Sequence, residues 1–330
     1  MTPGKNEPDI SVVLCTYNGE AFIQEQLESI LTQSIPPDEI VISDDGSSDE
    51  TLARIKAIQD SSTGDIRWVV ITRDKPLGPA ENFAHALTVA TGELIALSDQ
   101  DDIWESTKLA VLRSHFHKHP DALLVHTNAR LIDSAGREGK TLMATLRLTA
   151  SERKALTSGR GLEALLRRNL VTGATVMLSR TLLETALPLP AGWVHDEWWG
   201  LIAALQDGLI YEDQSLVRYR QHAGNVIGAS DTTVSVAQER LAETRDQFFT
   251  RKRIRNSALS ALCEEHPPWL PPRHREALLR KIAHDKLRET LPAGRLARVP
   301  QVFWWGILGN YRRSSRGWID MVRDISLLEG

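Results

Sequence analysis

Between residues 10 and 104 the chain alternates short β-branched runs with helical periodicity, and the runs end in small polar or acidic clusters. Ile10 to Cys15 reads as a buried strand, and Glu39 to Ser43, Trp68 to Thr72 and Leu94 to Leu97 read as further strands. Between the first two, Phe22, Ile23, Leu27, Ile30 and Leu31 recur at helical spacing. Ser48 or Asp49 can cap a second helix through Leu52, Ile55 and Ile58. A third runs through Phe83, Ala84 and Leu87, opened by Gly78-Pro79 and ended by Gly92. A β-α-β-α-β-α-β order predicts an α/β fold with a largely parallel sheet and helices on both faces.

Open sheets of this kind bind ligands beyond the carboxyl ends of their strands. Thr16-Tyr17-Asn18, Asp44-Asp45-Gly46 and Asp99 to Asp102 all occupy such ends, so they are expected to meet in one site. After residue 120 the alternation weakens. Leu123 to Thr127 and Ala174 to Leu178 read as strands, and residues 193–222 are dense in Trp, His and acidic groups. From about residue 234 the pattern turns helical and basic, broken at Pro267-Pro268 and Pro271-Pro272. The organisation expected is a catalytic unit at 1–230, with halves 1–130 and 131–230, followed by a helical extension at 231–330.

Composition narrows the class. With 42% hydrophobic and 25% charged residues and a net charge of −4, the 330-residue chain has the make-up of a globular protein. Cys15 and Cys263 form no metal-ligand or disulfide pattern, which fits a reducing compartment. The N-terminus lacks the apolar core of a signal peptide. The longest apolar run near either end, Val302 to Leu308, is seven residues, against about 20 for a membrane span. A cytoplasmic protein without a transmembrane segment is expected, with no nucleic-acid partner. Residues 251–330 hold 16 Lys/Arg against 8 Asp/Glu, while the preceding 250 hold 23 against 35. Two surfaces of opposite character follow, one of which prefers anionic partners.

Asp99, Asp101 and Asp102 place three carboxylates within four residues after a strand. Their mutual repulsion invites a cation, and oxygen ligands suit Mg²⁺ or Mn²⁺ shared with phosphates. A solvated acidic turn is the alternative. Asp44 and Asp45 can accept from a nucleobase or ribose, with Gly46 allowing a tight turn, or can merely open a helix. Tyr17 could lie against a base with the Asn18 amide beside it, or the segment could be only a turn. His115, His117 and His119 lack an accompanying carboxylate and read as a solvated helix end.

Together these clusters resemble the inverting family 2 glycosyltransferases, whose nucleotide-sugar-binding fold is called GT-A. The matching stretches are Val12 to Asn18, Ile40 to Asp49, Leu77 to Phe83 and Leu97 to Trp104. The resemblance weakens along residues 10–228. The Ser98-Asp99-Gln100-Asp101-Asp102-Ile103-Trp104 form, with Lys108-Leu109 after it, is similar to bacterial rhamnosyltransferases of O-antigen and capsule assembly.

The resemblance implies that Thr16, Tyr17, Asn18, Asp44, Asp45 and Asn82 line the nucleotide pocket. Asp99 would contact ribose or metal, and Asp101 the metal on the diphosphate. His195-Asp196-Glu197-Trp198-Trp199 matches the family's acidic motif at a helix start. Inverting transfer needs one base to take the acceptor proton, and Asp196 is the first choice with Glu197 second. A carboxylate serving the helix dipole is the alternative. Trp198 and Trp199 could form a sugar platform or pack inside. In Tyr219 to Gly228, His222 could complete the metal shell and Arg220 neutralise the leaving group, unless the histidine is structural. Thr172-Gly173-Ala174 resembles the stretch beneath the acceptor, where glycine permits close approach.

The reading is a metal-dependent inverting glycosyltransferase of polysaccharide or lipid-linked glycan synthesis. dTDP-rhamnose is the first choice of donor and a UDP-hexose the second. A nucleotidyltransferase fits poorly, because Thr16 to Glu20 holds no Gly-rich phosphate loop. A non-catalytic nucleotide-sugar binder would be expected to have lost carboxylates, yet Asp44, Asp99, Asp101 and Asp196 are present. In the basic tail, Phe303-Trp304-Trp305 and Ile307-Leu308 stand among Arg295, Arg298, Arg312, Arg313 and Arg316. That pattern is expected to meet an anionic membrane, or else to pack on the catalytic unit or in a homodimer.

Overall fold

The computed structural model describes residues 7–222 and 244–327. Ala223 to Gly228 of the second strand-end motif, and the expected boundary at 230/231, lie outside the described residues.

The N-terminal alternation folds as its pattern predicts: β1 (Ile10–Thr16), α1 (Ile23–Leu31), β2 (Glu39–Asp44), α2 (Thr51–Ser61), β3 (Arg67–Thr72), α3 (Pro79–Val89) and β4 (Leu94–Ser98). Strands β3-β2-β1-β4 lie side by side and parallel. The near-continuous apolar content of β1, β2 and β4 follows from burial on both faces, while the edge strand β3 is partly exposed. Val13, Val41, Ile95 and Leu97 join one core, while Val12, Leu14, Ile40, Ile42 and Ala96 join the other. Pro79 sits in the first turn of α3, where its missing N–H costs nothing.

Beyond β4 the sheet becomes mixed. The chain continues through β5 (Ile103–Trp104), α4 (Lys108–Lys118), β6 (Leu124–Asp133) and β7 (Glu138–Thr141). Short helices α5 (Leu142–Thr145), α6 (Ala150–Thr157) and α7 (Gly161–Leu165) precede a 3-10 turn at Gly173–Thr175 and β8 (Val176–Ser179). Then come α8 (Arg180–Ala186), α9 (His195–Leu205) and β9 (Leu209–Gln221). The order is β3-β2-β1-β4-β8-β6-β9-β5, with β7 on β6. β8 runs antiparallel to β4 and β6, and β5 antiparallel to β9. The pairing of Ile103 with Arg218 and Trp104 with Val217 sets residues 101–104 beside the end of β9.

The C-terminal helices are α10 (Arg245–Glu265), α11 (Pro272–Glu289), α12 (Arg295–Ile307), α13 (Asn310–Ser314) and α14 (Trp318–Ser326). Leu259, Cys263, Leu278 and Ile282 share a core with α9, so α10 and α11 join the same core as that helix. Among the described residues no helix is long and apolar enough to cross a membrane. Cys15 and Cys263 are both buried and unbridged.

Candidate active site

Side-chain hydrogen bonds tie the three strand-end loops together. Gln100 joins the β4 and β1 loops, its Oε1 accepting from Tyr17 N at 2.8 Å and its Nε2 donating to Tyr17 O at 3.0 Å. Asn18, in the left-handed conformation at φ 48°, joins the β1 and β2 loops. Its N–H donates to Ser47 Oγ at 2.8 Å, and its Oδ1 accepts from Ser48 N at 2.9 Å. Asp45 accepts from Leu77 and Gly78 N–H at 2.9 and 2.8 Å, which fixes the loop before α3. The convergence read from the strand ends is therefore physical.

Buried Asp44 accepts from Thr16 Oγ1 (2.7 Å), Gly46 N (3.2 Å), Ser47 N (2.8 Å) and Ser47 Oγ (2.5 Å). Gly46 makes that turn at φ 90°. Four donors fill a carboxylate's acceptor sites, so Asp44 and Thr16 shape the loop. Asn82, expected in the pocket wall, is buried, with Oδ1 on Ser43 Oγ (2.6 Å) and Nδ2 on Ser43 O (2.9 Å). It braces α3 against β2, and that expectation is corrected. Tyr17 stands half exposed above the tied loops, where its ring is open to a partner. Arg73, just past β3, donates to Ser43 Oγ at 2.8 Å and lies 3.6 Å from Asp45.

The carboxylates past β4 sit in a buried, mutually repelling set. Burial pushes the Asp99 carboxyl up to about 7, helped by the charges of Asp101 and Asp196 and eased by Lys108. Burial, with Asp101 and Asp99, also raises Asp102 well above the ordinary carboxyl range. Asp102 Oδ1 accepts from Arg220 N at 2.9 Å, while its buried Oδ2 has no partner. Fully buried Lys108 supplies the counter-charge from beneath. Its Nζ donates to Ala174 O at 2.7 Å and lies 3.4 Å over the Trp104 ring. Tyr219, buried at the end of β9, feels Asp99, Asp102, Asp101 and Asp196 together, and with burial they raise its hydroxyl pKa.

His222 lies with Nε2 2.8 Å from Asp101 Oδ2 and its ring stacked on Phe22 at 4.9 Å. Oxygen and imidazole nitrogen are a donor pair suited to a divalent ion, and Asp101 with His222 would hold one alongside substrate oxygens. The orphaned Asp102 oxygen and the raised Asp99 carboxyl mark the local demand for positive charge. Among the described residues no three His, Cys, Asp or Glu side chains form a metal cage, so Asp99 is not part of a preformed one.

Arg220 does not face a leaving group. It is buried, its guanidinium held by Asp101 O (2.7 Å), Ser134 O (3.3 Å) and Glu25 (2.5 Å), so it clamps loops together.

On the acceptor side, Asp196 lies in the first turn of α9. Its Oδ2 accepts from Gly173 N at 3.1 Å and its Oδ1 from Asn169 Nδ2 at 3.4 Å. Burial and neighbouring Glu197 push it up to about 7, partly offset by those donors. A Cβ at Gly173 would stand 2.9 Å from His195 Nε2 and 3.8 Å from Asp196 Cβ, so the close approach needs glycine. Thr172, half-buried, closes the turn through its carbonyl, which accepts from Thr175 Oγ1 at 2.7 Å. Glu197 is ion-paired with Arg255 of α10, which also lies 4.1 Å over the Trp193 ring. That pairing removes Glu197 as the second choice of base.

Trp198 and Trp199 are corrected outright: both are buried in the core, and Trp198 Nε1 donates to Ala186 O at 2.9 Å, so neither offers a face to a sugar. Carboxylates remote in sequence reach two of the trio, Glu212 at part-buried His115 and Glu7 at exposed His117, each at 2.9 Å, so the solvated helix end without a carboxylate is corrected for both.

Sequence reasoning missed Gln100 as a tie, Arg73, the buried Lys108, Tyr219 and Arg255. A lysine opening the otherwise apolar Lys108-Leu109-Ala110-Val111-Leu112 was a readable signal. Nothing in the sequence marks Arg255.

The family described as Glycosyl transferase family 2 matches residues 11–183. The Escherichia coli UDP-Glc:alpha-D-GlcNAc-diphosphoundecaprenol beta-1,3-glucosyltransferase WfgD is 29% identical over 202 residues, covering 61% of this chain and 71% of that one. Escherichia coli WfaP, named for the same reaction, is 36% identical over 101 residues, covering 31% and 38%. The chain spans about half the length of other curated relatives, 49% of one from Bacillus subtilis and 44% of one from Nostoc. Among solved structures, S. aureus TarS 1-349 in complex with UDP-GlcNAc superposes with a TM-score of 0.56 at 17% identity, covering 96% of this chain and 81% of that one. The Pyrobaculum calidifontis mannosyltransferase PcManGT, in complex with GDP-Man and Mn²⁺, gives 0.54 at 19% identity, covering 97% and 86%. These two likenesses concern the GT-A fold.

Proposed function

Because the chain belongs to glycosyl transferase family 2, we propose that it moves a sugar from a nucleotide donor to a hydroxyl of a lipid-linked glycan, with inversion and with Asp196 as base. One observation carries the reading. Gly173 N–H donates to Asp196 Oδ2 while the next carbonyl, Ala174 O, accepts from Lys108 Nζ, the cation that eases Asp99, and this link supports a reading in which the donor-side carboxylates and the acceptor-side base share one site.

The residues divide the work. Tyr17 offers its ring to the base. Asn18, Asp44, Asp45 and Gln100 hold the loops that shape the nucleotide pocket, with Asn82 behind them. Asp101 and His222 would hold a Mg²⁺ or Mn²⁺ ion, whose chemistry is to neutralise charge on the diphosphate. Asp196, raised to about 7, is poised to accept the acceptor proton near neutral pH. Gly173 N–H and Asn169 aim its carboxylate, and Arg255 withdraws Glu197 from competition. Residues 1–230 would form the catalytic unit, with the 231–330 extension bracing α9.

The names of the Escherichia coli relatives favour a UDP-hexose over the dTDP-rhamnose expected from Ser98 to Trp104, which has no support among them. They also favour a diphosphate-lipid-linked acceptor, hence work at a membrane surface. Incubation with UDP-, dTDP- and GDP-sugars, with and without a polyprenyl-diphosphate-linked GlcNAc acceptor, tests this through nucleoside diphosphate release. Release of UDP that requires the acceptor, with inverted anomeric configuration by NMR, is expected. Retention, or binding of donor without acceptor-dependent turnover, would refute the reading.

A further inference from the structure

The outermost C-terminal helices turn the usual order of burial inside out. In α14, Asp320 and Asp324 are buried, while Trp318 is 72% exposed and Val322 is 56% exposed. In α12, Arg298 is fully buried, while Leu296, Phe303 and Ile307 are 88%, 63% and 64% exposed and Trp304 is also open.

Most of the inward polar groups are paired. Arg288 grips Asp324 through two bonds of 2.7 Å, and Tyr311 Oη donates to Asp324 Oδ2 at 2.6 Å. Arg298 donates to the carbonyls of Pro292, Asp324 and Leu327 at 2.9–3.0 Å. A polar network together with the small apolar cluster of Leu291, Val302 and Tyr311 holds these helices from within, and the apolar side chains named above face outward. Contiguous apolar surface of this extent on a protein marks a docking face.

The surrounding charge selects the partner. Residues 295–316 carry five arginines and no aspartate or glutamate. Arg298 and Arg316, which the sequence assigned to the outer surface, are drawn inward, Arg316 to Asp320 at 3.7 Å. Arg295, Arg312 and Arg313 remain exposed. Trp305, likewise expected outside, is half-buried against Val302 and Tyr311, and Trp318 with Val322 takes the outer role. Exposed aromatic and aliphatic groups in a segment that also carries exposed arginines, Arg295 on α12 and Arg312 and Arg313 on α13, are complementary to the headgroup boundary of an anionic bilayer.

We propose that the outer faces of α12 and α14 form a monotopic docking surface that seats this protein on an anionic lipid bilayer. The proposal deepens the reading of a lipid-linked acceptor, because a membrane-seated protein meets such an acceptor in two dimensions.

Flotation of the full chain with phosphatidylcholine vesicles, with and without phosphatidylglycerol, tests it. Association is expected only with the anionic vesicles, reduced by salt, with a blue shift of tryptophan emission as Trp304 and Trp318 leave water. Leu296→Asp with Trp318→Asp should abolish association while leaving the thermal midpoint unchanged, since both side chains point away from the core. Arg312→Glu with Arg313→Glu should lower the partition coefficient roughly thirtyfold or more. No association at low salt would overturn the proposal. So would a concentration-dependent dimer, seen by sedimentation and dispersed by the apolar pair of substitutions, because the face would then belong to a second copy. UDP release with a short water-soluble acceptor reads transfer without the membrane, so failure of docking and failure of the transferase reading are separable.

Discussion

Replacing Asp196 by Asn keeps the side chain's size and one of its two accepting contacts, to Gly173 N or to Asn169 Nδ2, and removes the carboxylate that would take the proton. A general base contributes about 10²–10⁴-fold to turnover, so kcat should fall by at least about 10²-fold while donor affinity stays unchanged. The pH profile gives a second signature. With the carboxyl at about 7, kcat/KM of the native protein should rise with pH as Asp196 loses its proton near neutrality. Stability should move the opposite way. A carboxyl raised from 3.8 to about 7 on folding favours the folded state below pH 4, and that contribution is lost as pH rises through 7. The difference corresponds to about 4 kcal/mol for an isolated group. Solvent reaching one edge of the half-buried carboxylate screens this to about 1–2 kcal/mol. Asp196→Asn should therefore be more stable than the native protein at pH 8 and equal to it at pH 4, read by urea denaturation at both. A variant that keeps turnover, or one destabilised at pH 8, would refute the assignment of a strained, buried base.

Asp101→Ala should abolish turnover and the Mn²⁺-dependent part of donor binding measured by calorimetry, and full activity in chelator would remove the metal role of Asp101 and His222. Tyr17→Ala should weaken nucleoside diphosphate binding about tenfold through loss of stacking, with kcat at saturation preserved. Asp324→Ala leaves the buried Arg288 guanidinium only its longer 3.5 Å pairing with Asp285 and should cost about 2–4 kcal/mol in urea denaturation, whereas a change below about 1 kcal/mol would show that the polar interior of α12–α14 is not a fixed network.

The parallel half of the fold was legible because its physics is local. Each strand from β1 to β4 is a continuous apolar run bounded by turn residues, and each following helix carries its own spacing and its own stop or start signal. Strand ends in such a sheet lie on one edge, so the meeting of Tyr17, Asp44 and Asp99 was determined before any tertiary contact was known. The later strands were harder. β9 and the two-residue β5 are held by pairing with each other and with β6, partners remote in sequence.

What the sequence determined by itself was therefore which titratable side chains stand in short motifs: Asp101, His222 and Asp196, the groups proposed to carry the chemistry, are among them, and motif spacing survives folding. What the tertiary structure alone decided was which groups face solvent and which are consumed inside. Arg220, Asn82, Glu197, Trp198 and Trp199 occur in the same motifs, yet packing turns each to a neighbour. The same holds in the tail, where composition announced Arg and Trp but the Arg288–Asp324 pair fixed which of them point outward. Burial and pairing depend on the summed desolvation and contact energy of side chains far apart along the chain, and no local window of sequence contains that sum.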